Sequence, residues 1–320
     1  MLFIPWINLN HLRLTLSSCS QTDFTCSDGH CVALEERCDG NTDCKDRSDE
    51  EDCKAFITFS GYNKLFAPPP LENETRVLIN VSIVIDKIIE INENEGFFTT
   101  KTTFIKRWHN SQLTYQNLKR NPSKNKMSTD DMERMWKSWI VFENIRHIED
   151  YKKTDEKAIM TIIPSKEFNF KLSDKTNYRR TRLFNGEENV IEHQQQFTVK
   201  WICDFDMRWY PFNNQICKMF ITETETLCAL IPSSVTYSGP AELTQHIVKG
   251  VTICNTNKME RSSIIVEVIL GRPLLGTTLT VFMPTSILLV LSQMVRVFGR
   301  DHMEMVIEVN LTLLLVLATL

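Results

Sequence analysis

In the stretch RVLINVSIVID, Val77, Ile79, Val81, Ile83 and Ile85 recur at every second position and share one face of a strand. FTVKWICDFDM repeats the habit with Phe197, Val199 and Trp201, and MERSSIIVEVIL reads as a further strand. Residues 73–271 therefore predict many short strands folded as an antiparallel β-sandwich. The lysine- and asparagine-rich stretch 119–131 reads as a loop. Two segments break this rhythm. Residues 19–53 have almost no apolar side chains, Phe24, Val32 and Leu34 being nearly all. Residues 274–295, LLGTTLTVFMPTSILLVLSQMV, run 22 positions without a charge, long enough to span a bilayer. After a short break containing Arg296, Arg300 and Asp301, whose two arginines fit a cytoplasmic linker, a second apolar run starts near Met303. The expected organisation is an unassigned stretch 1–18, a module 19–53, a linker 54–72 ending in Pro68-Pro69-Pro70, the sandwich 73–271, and α-helical transmembrane segments in 272–320.

Cysteine usage sharpens this picture. Six of the ten cysteines lie between Cys19 and Cys53, the others being Cys203, Cys217, Cys228 and Cys254. Such density points to disulfides and an oxidising, extracellular compartment. No paired CxxC favours zinc. A core this small needs cross-links and a metal. Asp39, Asp43, Asp46, Asp49 and Glu50 crowd the end of the segment, and carboxylates held together repel unless a hard cation sits between them. Calcium, with its six or more oxygen ligands, suits them. The fold class is thus mainly β: a disulfide-rich calcium module, a sandwich ectodomain, then membrane helices.

A net charge of -4 offers nothing to nucleic acid. There is no HExxH, GxSxG or glycine-rich phosphate loop, so the chain reads as a non-enzyme. His193 has no nucleophile or metal partner near it in sequence and reads as a strand-surface histidine. Sequons at Asn73 and Asn80 suit a glycosylated exterior, whereas Asn310 falls in the second apolar run. The first residues make a poor signal peptide and the last ones stop inside an apolar helix, so both ends read as incomplete.

The segment 19–53 resembles a low-density-lipoprotein-receptor class A module, through Phe24, CDG at 38–40, DC at 43–44 and SDE at 48–50. The resemblance implies the pairings Cys19–Cys31, Cys26–Cys44 and Cys38–Cys53. It also implies calcium held by the side chains of Asp39, Asp43, Asp49 and Glu50 and the carbonyls of Glu36 and Asn41. Glu36 stands where that family usually has an aromatic residue that often helps grip protein ligands, so folding should survive the change, while the resemblance does not carry lipoprotein-type binding over to this chain.

CDFDMRWYPFNNQIC brackets thirteen residues between Cys203 and Cys217. With Phe205, Tyr210-Pro211 and an apolar helix some fifty residues later, it resembles the disulfide loop of pentameric Cys-loop ligand-gated ion channels. Pro284 in that helix, Trp108 in RWHNSQL, and Trp136, Phe142 and Asn144 extend the likeness over residues 70–320. The resemblance implies a subunit that binds a small extracellular ligand between subunits of a pentamer in the plasma membrane, its N-terminal region outside. The loop would press on the membrane domain through Trp209, Tyr210, Pro211 and Phe212. Asn213 replaces the family's usual aspartate, which should alter coupling. The second run would line the pore with Glu304, Ile307 or Glu308, Leu311, Leu314 or Leu315, and Ala318 on one face. A ring of Glu304 favours cations, and a ring of Leu314 makes a dewetting gate.

The agonist site departs from the family. Aromatic positions that would cage an amine fall on Thr103 and Thr224, WKSW at 136–139 replaces WxPD, and no adjacent cysteine pair precedes the first helix. Trp139, Phe142, Phe220 and Tyr237 remain as candidates, and Cys228 with Cys254 as a second disulfide. The alternative to a conducting channel is a truncated or decoy subunit that binds and modulates partners.

Overall fold

A computed structural model describes residues 19–20, 22–148, 157–173, 180–210, 212–258, 261–273, 279, 282–298 and 311–312. In the first segment β1 (Asp23–Thr25) pairs antiparallel with β2 (Cys31–Ala33) over a minute core of Phe24, Cys26, Leu34 and Cys44. Disulfides Cys19–Cys31, Cys26–Cys44 and Cys38–Cys53 hold it. This is the solution open to a chain that cannot bury enough apolar area to fold on hydrophobicity alone.

The chain continues as β3 (Phe56–Thr58), β4 (Val77–Asn92), β5 (Phe97–Trp108) and β6 (Leu113–Gln116). A helix α1 (Thr129–Arg134) leads to β7 (Ile140–Phe142), β8 (Ile145–Ile148), β9 (Ile159–Ile163), β10 (Lys171–Leu172) and β11 (Arg182–Asn185). The long strands β12 (Val190–Ile202), β13 (Gln215–Glu223), β14 (Cys228–Tyr237), β15 (Ile247–Lys258) and β16 (Arg261–Gly271) complete the β region, and α2 (Met283–Phe298) follows. One sheet runs β14-β4-β5-β12-β8, with β9 also on β12, and the facing sheet runs β15-β16-β13-β7. A third, β10-β11-β6-β3, flanks them.

The period-two reading places its residues well. Val77, Ile79, Val81, Ile83 and Ile85 are buried, as are Phe197, Val199, Trp201 and alternate residues of β16 from Ile264 to Leu270. Four aromatic rings tie the two large sheets together. Phe142 of β7 stands 5.3 Å from Phe104, 5.4 Å from Phe197 and 5.1 Å from Trp201, the last three all in the opposite sheet. Phe142 meets Phe197 and Trp201 edge-to-face, which adds to their burial energy.

Three expectations need correction. The linker 54–72 contains β3, paired with β6, and its Phe56 is 1% exposed; three residues are too few to show a period. The pair β14/β4 is parallel, in an otherwise antiparallel sheet. These strands lie far apart in the chain, so no tight turn dictates their direction. The loop 119–131 holds a short helical turn, Pro122–Lys124, and the start of α1, where the Ser128 hydroxyl accepts from the Asp131 amide at 3.2 Å.

His193 is a further departure. It lies inside, 1% exposed, edge-on to Trp108 at 6.2 Å and opposite Lys106 in the β5/β12 register. Burial, and then the charges of Lys106 and Lys137, hold its pKa well below the ordinary histidine value. The folded state keeps this ring neutral, while the unfolded chain protonates it near its ordinary pKa of about 6.5. Its contribution is fully present above that pH and is lost as pH falls below it.

Two stability measurements follow. Phe142→Ala should lower unfolding stability by about 3–5 kcal/mol, while Val141→Ala, at a half-exposed neighbour, should change little in the same denaturant titration. His193→Leu should flatten the acid limb of the stability curve below about pH 6.5, removing up to about 1.4 kcal/mol of slope per pH unit.

Candidate functional site

The disulfide Cys203–Cys217 closes with its Cα atoms 5.2 Å apart, and it joins the end of β12 in one large sheet to β13 in the other. The Cys203 amide donates to Gly96 O at 3.0 Å. Gly96 has φ +68° and a Cβ there would meet Cys203 O at 3.3 Å, so glycine is what the turn between β4 and β5 accepts. Inside the loop, Gln215 Nε2 donates to Asp206 O at 2.7 Å and Asn213 Nδ2 donates to the same oxygen. Asn213 thus braces the loop's own backbone as an amide donor. A carboxylate, as the family usually has, could not donate that bond.

At the apex Trp209 is 75% exposed, Phe212 71% and Tyr210 46%; Pro211 lies outside the described residues. Such large apolar area on a stiff loop marks a contact surface. One partner is visible: the Phe212 ring lies 6.1 Å from that of Phe282, at the head of α2. Tyr210 has another, the Arg272 guanidinium 4.5 Å over its ring.

Arg272, directly after β16, also donates to Glu93 Oε1 in the β4–β5 turn, and His246 Nε2 lies 2.8 Å from the same oxygen. Burial works against ionisation of Glu93, but the hydrogen bonds and charges of Arg272 and His246 outweigh it and hold its pKa below the ordinary carboxylate value. One carboxylate thus gathers the β4–β5 turn, the segment before β15 and the end of β16 beside the disulfide loop. Glu93, His246 and Arg272 were not among the residues expected from sequence to be functional. Only Arg272 carried a signal, as the lone charge at the junction of the last strand and the apolar run.

The candidate ligand residues do not form one site. Phe142 belongs to the core, Phe220 is half-buried on β13, and Tyr237 donates to Pro240 O at 2.8 Å. Thr103, on β5, donates to Asp86 at 2.8 Å. Two of the positions do meet: Thr224 Oγ1 donates to Trp139 O at 3.2 Å, leaving the half-exposed Trp139 ring beside a recess it shares with Lys137, His193 and Gln195. Cys228 and Cys254 are not bonded. Cys228 of β14 points into the core, its thiol pushed up to about 12 by burial and the charges of Glu223 and Glu225, whereas Cys254 of β15 faces solvent from the other sheet.

Hydrogen bonds link several of the calcium candidates in the first module. Asp49 is wholly buried. Its Oδ2 accepts from the Asp43 amide at 2.7 Å, and its Oδ1 has no hydrogen-bond partner. Asp39 accepts from the Asn41 amide at 2.9 Å, and Glu50 from the Asp39 amide at 2.8 Å. Glu36 spends its carboxylate on the Ala33 amide at 3.0 Å, so its carbonyl is what it has to offer. Partial desolvation, and then the charges of Glu36, Asp39 and Asp49, raise the pKa of Asp43. A buried carboxylate oxygen without a donor and mutually repelling neighbours fit a hard cation. Among the described residues, the metal-type cluster drawn within 4.8 Å is Cys26, Cys44 and Asp46, where both sulfurs are already spent in a disulfide.

Among the described residues no helix is long and apolar enough to cross a membrane. Helix α2 has 16 residues, and most of 274–281 precedes it outside the described residues. Of the pore candidates, Leu311 is exposed, while Glu304, Ile307 and Leu314 lie outside the described residues. Asn73 and Asn80 are both exposed.

A double-mutant cycle checks the Glu93 hub. Glu93→Gln alone should cost about 3 kcal/mol by leaving Arg272 buried without its counter-charge. Adding Arg272→Gln should recover part of that loss, and strict additivity of the two would contradict direct coupling.

Known proteins show the same two parts. Residues 56–238, more than half of the chain, match the neurotransmitter-gated ion-channel ligand binding domain, and residues 17–53 match the low-density lipoprotein receptor domain class A. Among curated proteins, the atrial natriuretic peptide-converting enzyme of Homo sapiens is 50% identical over 38 residues, covering 12% of this chain and 4% of that protein. Low-density lipoprotein receptor-related protein 8 of Homo sapiens is 59% identical over 32 residues, covering 10% and 3%. CD320 antigen of Rattus norvegicus is 53% identical over 54 residues, covering 17% and 20%. The chain thus spans a fifth or less of each of these relatives. With its stapled loop, its two-sheet sandwich and its matched domain, the chain belongs to the neurotransmitter-gated ion-channel ligand-binding-domain family and carries a low-density lipoprotein receptor class A module ahead of that domain.

Proposed function

We propose that the chain is a subunit of an extracellular-ligand-gated ion channel of the plasma membrane, assembled as a pentamer, with its N-terminal region outside and cations as the permeant ions. The observation that carries this reading is the contact of Phe212 with Phe282, beside Arg272 over Tyr210. A loop stapled to both sheets rests on the head of the first apolar helix. Any shift of one sheet against the other therefore reaches that helix through a short, stiff lever.

In this reading 274–295 crosses the bilayer and 303–320 lines the pore. Glu304, Ile307, Leu311 and Leu314 face the lumen; five copies of Glu304 attract cations, and five of Leu314 form an apolar constriction. A small ligand binds between subunits, with Trp139 and Thr224 on one side of its site. The shortage of aromatic side chains there supports a second reading, a non-conducting subunit that assembles with and modulates others. The class A module, of a kind that typically binds calcium, would hold the ion with Asp39, Asp43, Asp49 and Glu50 and the carbonyls of Glu36 and Asn41. The ion supplies positive charge that quenches the repulsion among these carboxylates. Asn73 and Asn80 carry glycans.

The test is electrical. Leu314→Ser in the full-length protein at a cell surface should pass a standing cation current without ligand, because a polar ring wets the constriction. Adding Glu304→Lys should move the reversal potential toward anions. A silent Leu314→Ser protein, present at the surface, rejects the conducting reading and favours the modulating one.

A further inference from the structure

Residues 19–53 hold eleven acidic residues against three basic ones, and the sandwich meets them with cations. Lys119 is 8% exposed, and its ammonium donates to the carbonyl of Glu35 and, at 2.7 Å, to that of Arg37. These two carbonyls flank Glu36, whose own carbonyl is in the calcium set above. Lys124 Nζ stands 3.7 Å from Asp39 Oδ2, a carboxylate of the same set. Arg182, its side chain 4% exposed, lies 3.5 Å from Glu35 Oε1. Arg180 donates to Ser20 O at 3.2 Å, and Asn117 to the sulfur of Cys38 at 3.7 Å.

This seam is built rather than incidental. Burying an ammonium costs several kcal/mol unless acceptors meet it. Burial, joined by the charge of Arg182, pushes the pKa of Lys119 down to about 8 against the opposing pull of Asp39 and Glu50. Despite its own partial burial, Asp39 is held below the ordinary carboxylate value by hydrogen bonds from Asn41 and by the charges of Lys119 and Lys124. The sandwich side is equally tied. The Lys119 amide donates to Asn125 Oδ1 at 2.7 Å, and Asn125 Nδ2 donates to Lys119 O at 2.8 Å and to Ile162 O at 3.1 Å. From there the chain runs through α1 into Trp136, packed edge-on to Trp108 at 5.8 Å, at the start of the stretch that reaches Trp139.

We propose that calcium occupancy of the class A module and its seating on the sandwich are one linked equilibrium, in which Lys124 competes with the ion for Asp39 and Lys119 is the strut that carries the change into residues 117–126. The inference rests on the calcium reading given above. By linkage, a contact that differs between the two calcium states changes calcium affinity by the same factor that calcium changes the contact. The module is then a calcium-sensitive brace on the ligand-binding domain.

Hydrogen exchange on the full chain in detergent, with free calcium buffered from chelator excess to saturation, tests both layers. Calcium should slow exchange in 34–50 and, over the same concentration range, alter it in 117–126. Lys124→Gln should tighten calcium about two- to fivefold, the reach of one exposed ion pair. Lys119→Met should keep calcium binding and lose the response in 117–126. If 34–50 responds while 117–126 of the unaltered chain does not, or if Lys124→Gln leaves calcium affinity unchanged, the linkage is overturned and the calcium reading stands. If neither region responds to calcium, the calcium reading falls and the linkage with it.

Discussion

The covalent bond between Cys203 and Cys217 sets the corner on which the rest of this molecule depends. It ties the end of β12 in one large sheet to the start of β13 in the other. A loop closed this way loses most of its freedom in the unfolded chain and cannot drift in the folded one. That is why Trp209, Tyr210 and Phe212 can stay exposed at its tip without collapsing onto the sandwich. Their apolar area is held out toward the head of α2, where Phe282 meets Phe212.

Buried charge organises the same corner. Glu93 is ionised inside because two cationic or donor groups, Arg272 and His246, converge on one of its oxygens. Buried ion pairs contribute little net stability but are strongly directional, because each partner alone is costly. Here the direction matters: the pair links a turn of the first long hairpin to the last residue group before the apolar helix. A second polar centre lies deeper, where Ser138 donates to Glu223 at 2.6 Å and Lys106 donates to Ser138 O at 2.6 Å, and there burial raises the pKa of the carboxyl instead. Both centres join groups that lie far apart in sequence.

The N-terminal module solves the opposite problem. It has too little apolar matter for a core and too many carboxylates for comfort. Disulfides supply the first need, and cations the second. Some of those cations belong to the sandwich, since Lys119 and Lys124 reach across the seam to the turn and the carboxylate that a bound ion would use. The boundary between the two parts is therefore an interface, in which Phe56, expected in a linker, is already core.

The sequence by itself determined whatever depends on local period and on residue type. Alternation from Val77 to Ile85 and along β12 and β16 dictated strands with one buried face, because a side chain's face on a strand follows from its parity. Clustered cysteines dictated a cross-linked module, and a loop bracketed by Cys203 and Cys217 dictated a staple. Tertiary structure alone decided which distant groups meet. Nothing local distinguishes Glu93 from Glu95, or Lys119 from the other lysines around it, until folding places Arg272 and the Glu35–Arg37 turn beside them. His193 read as a surface residue because its burial is imposed by β9 and by the facing sheet. Cys228 and Cys254 read as a pair because their spacing allowed it, and were kept apart because β14 and β15 sit in different sheets with those side chains turned to core and to solvent. Pairing between elements is set by the packing of whole faces, and one-dimensional spacing does not carry that information.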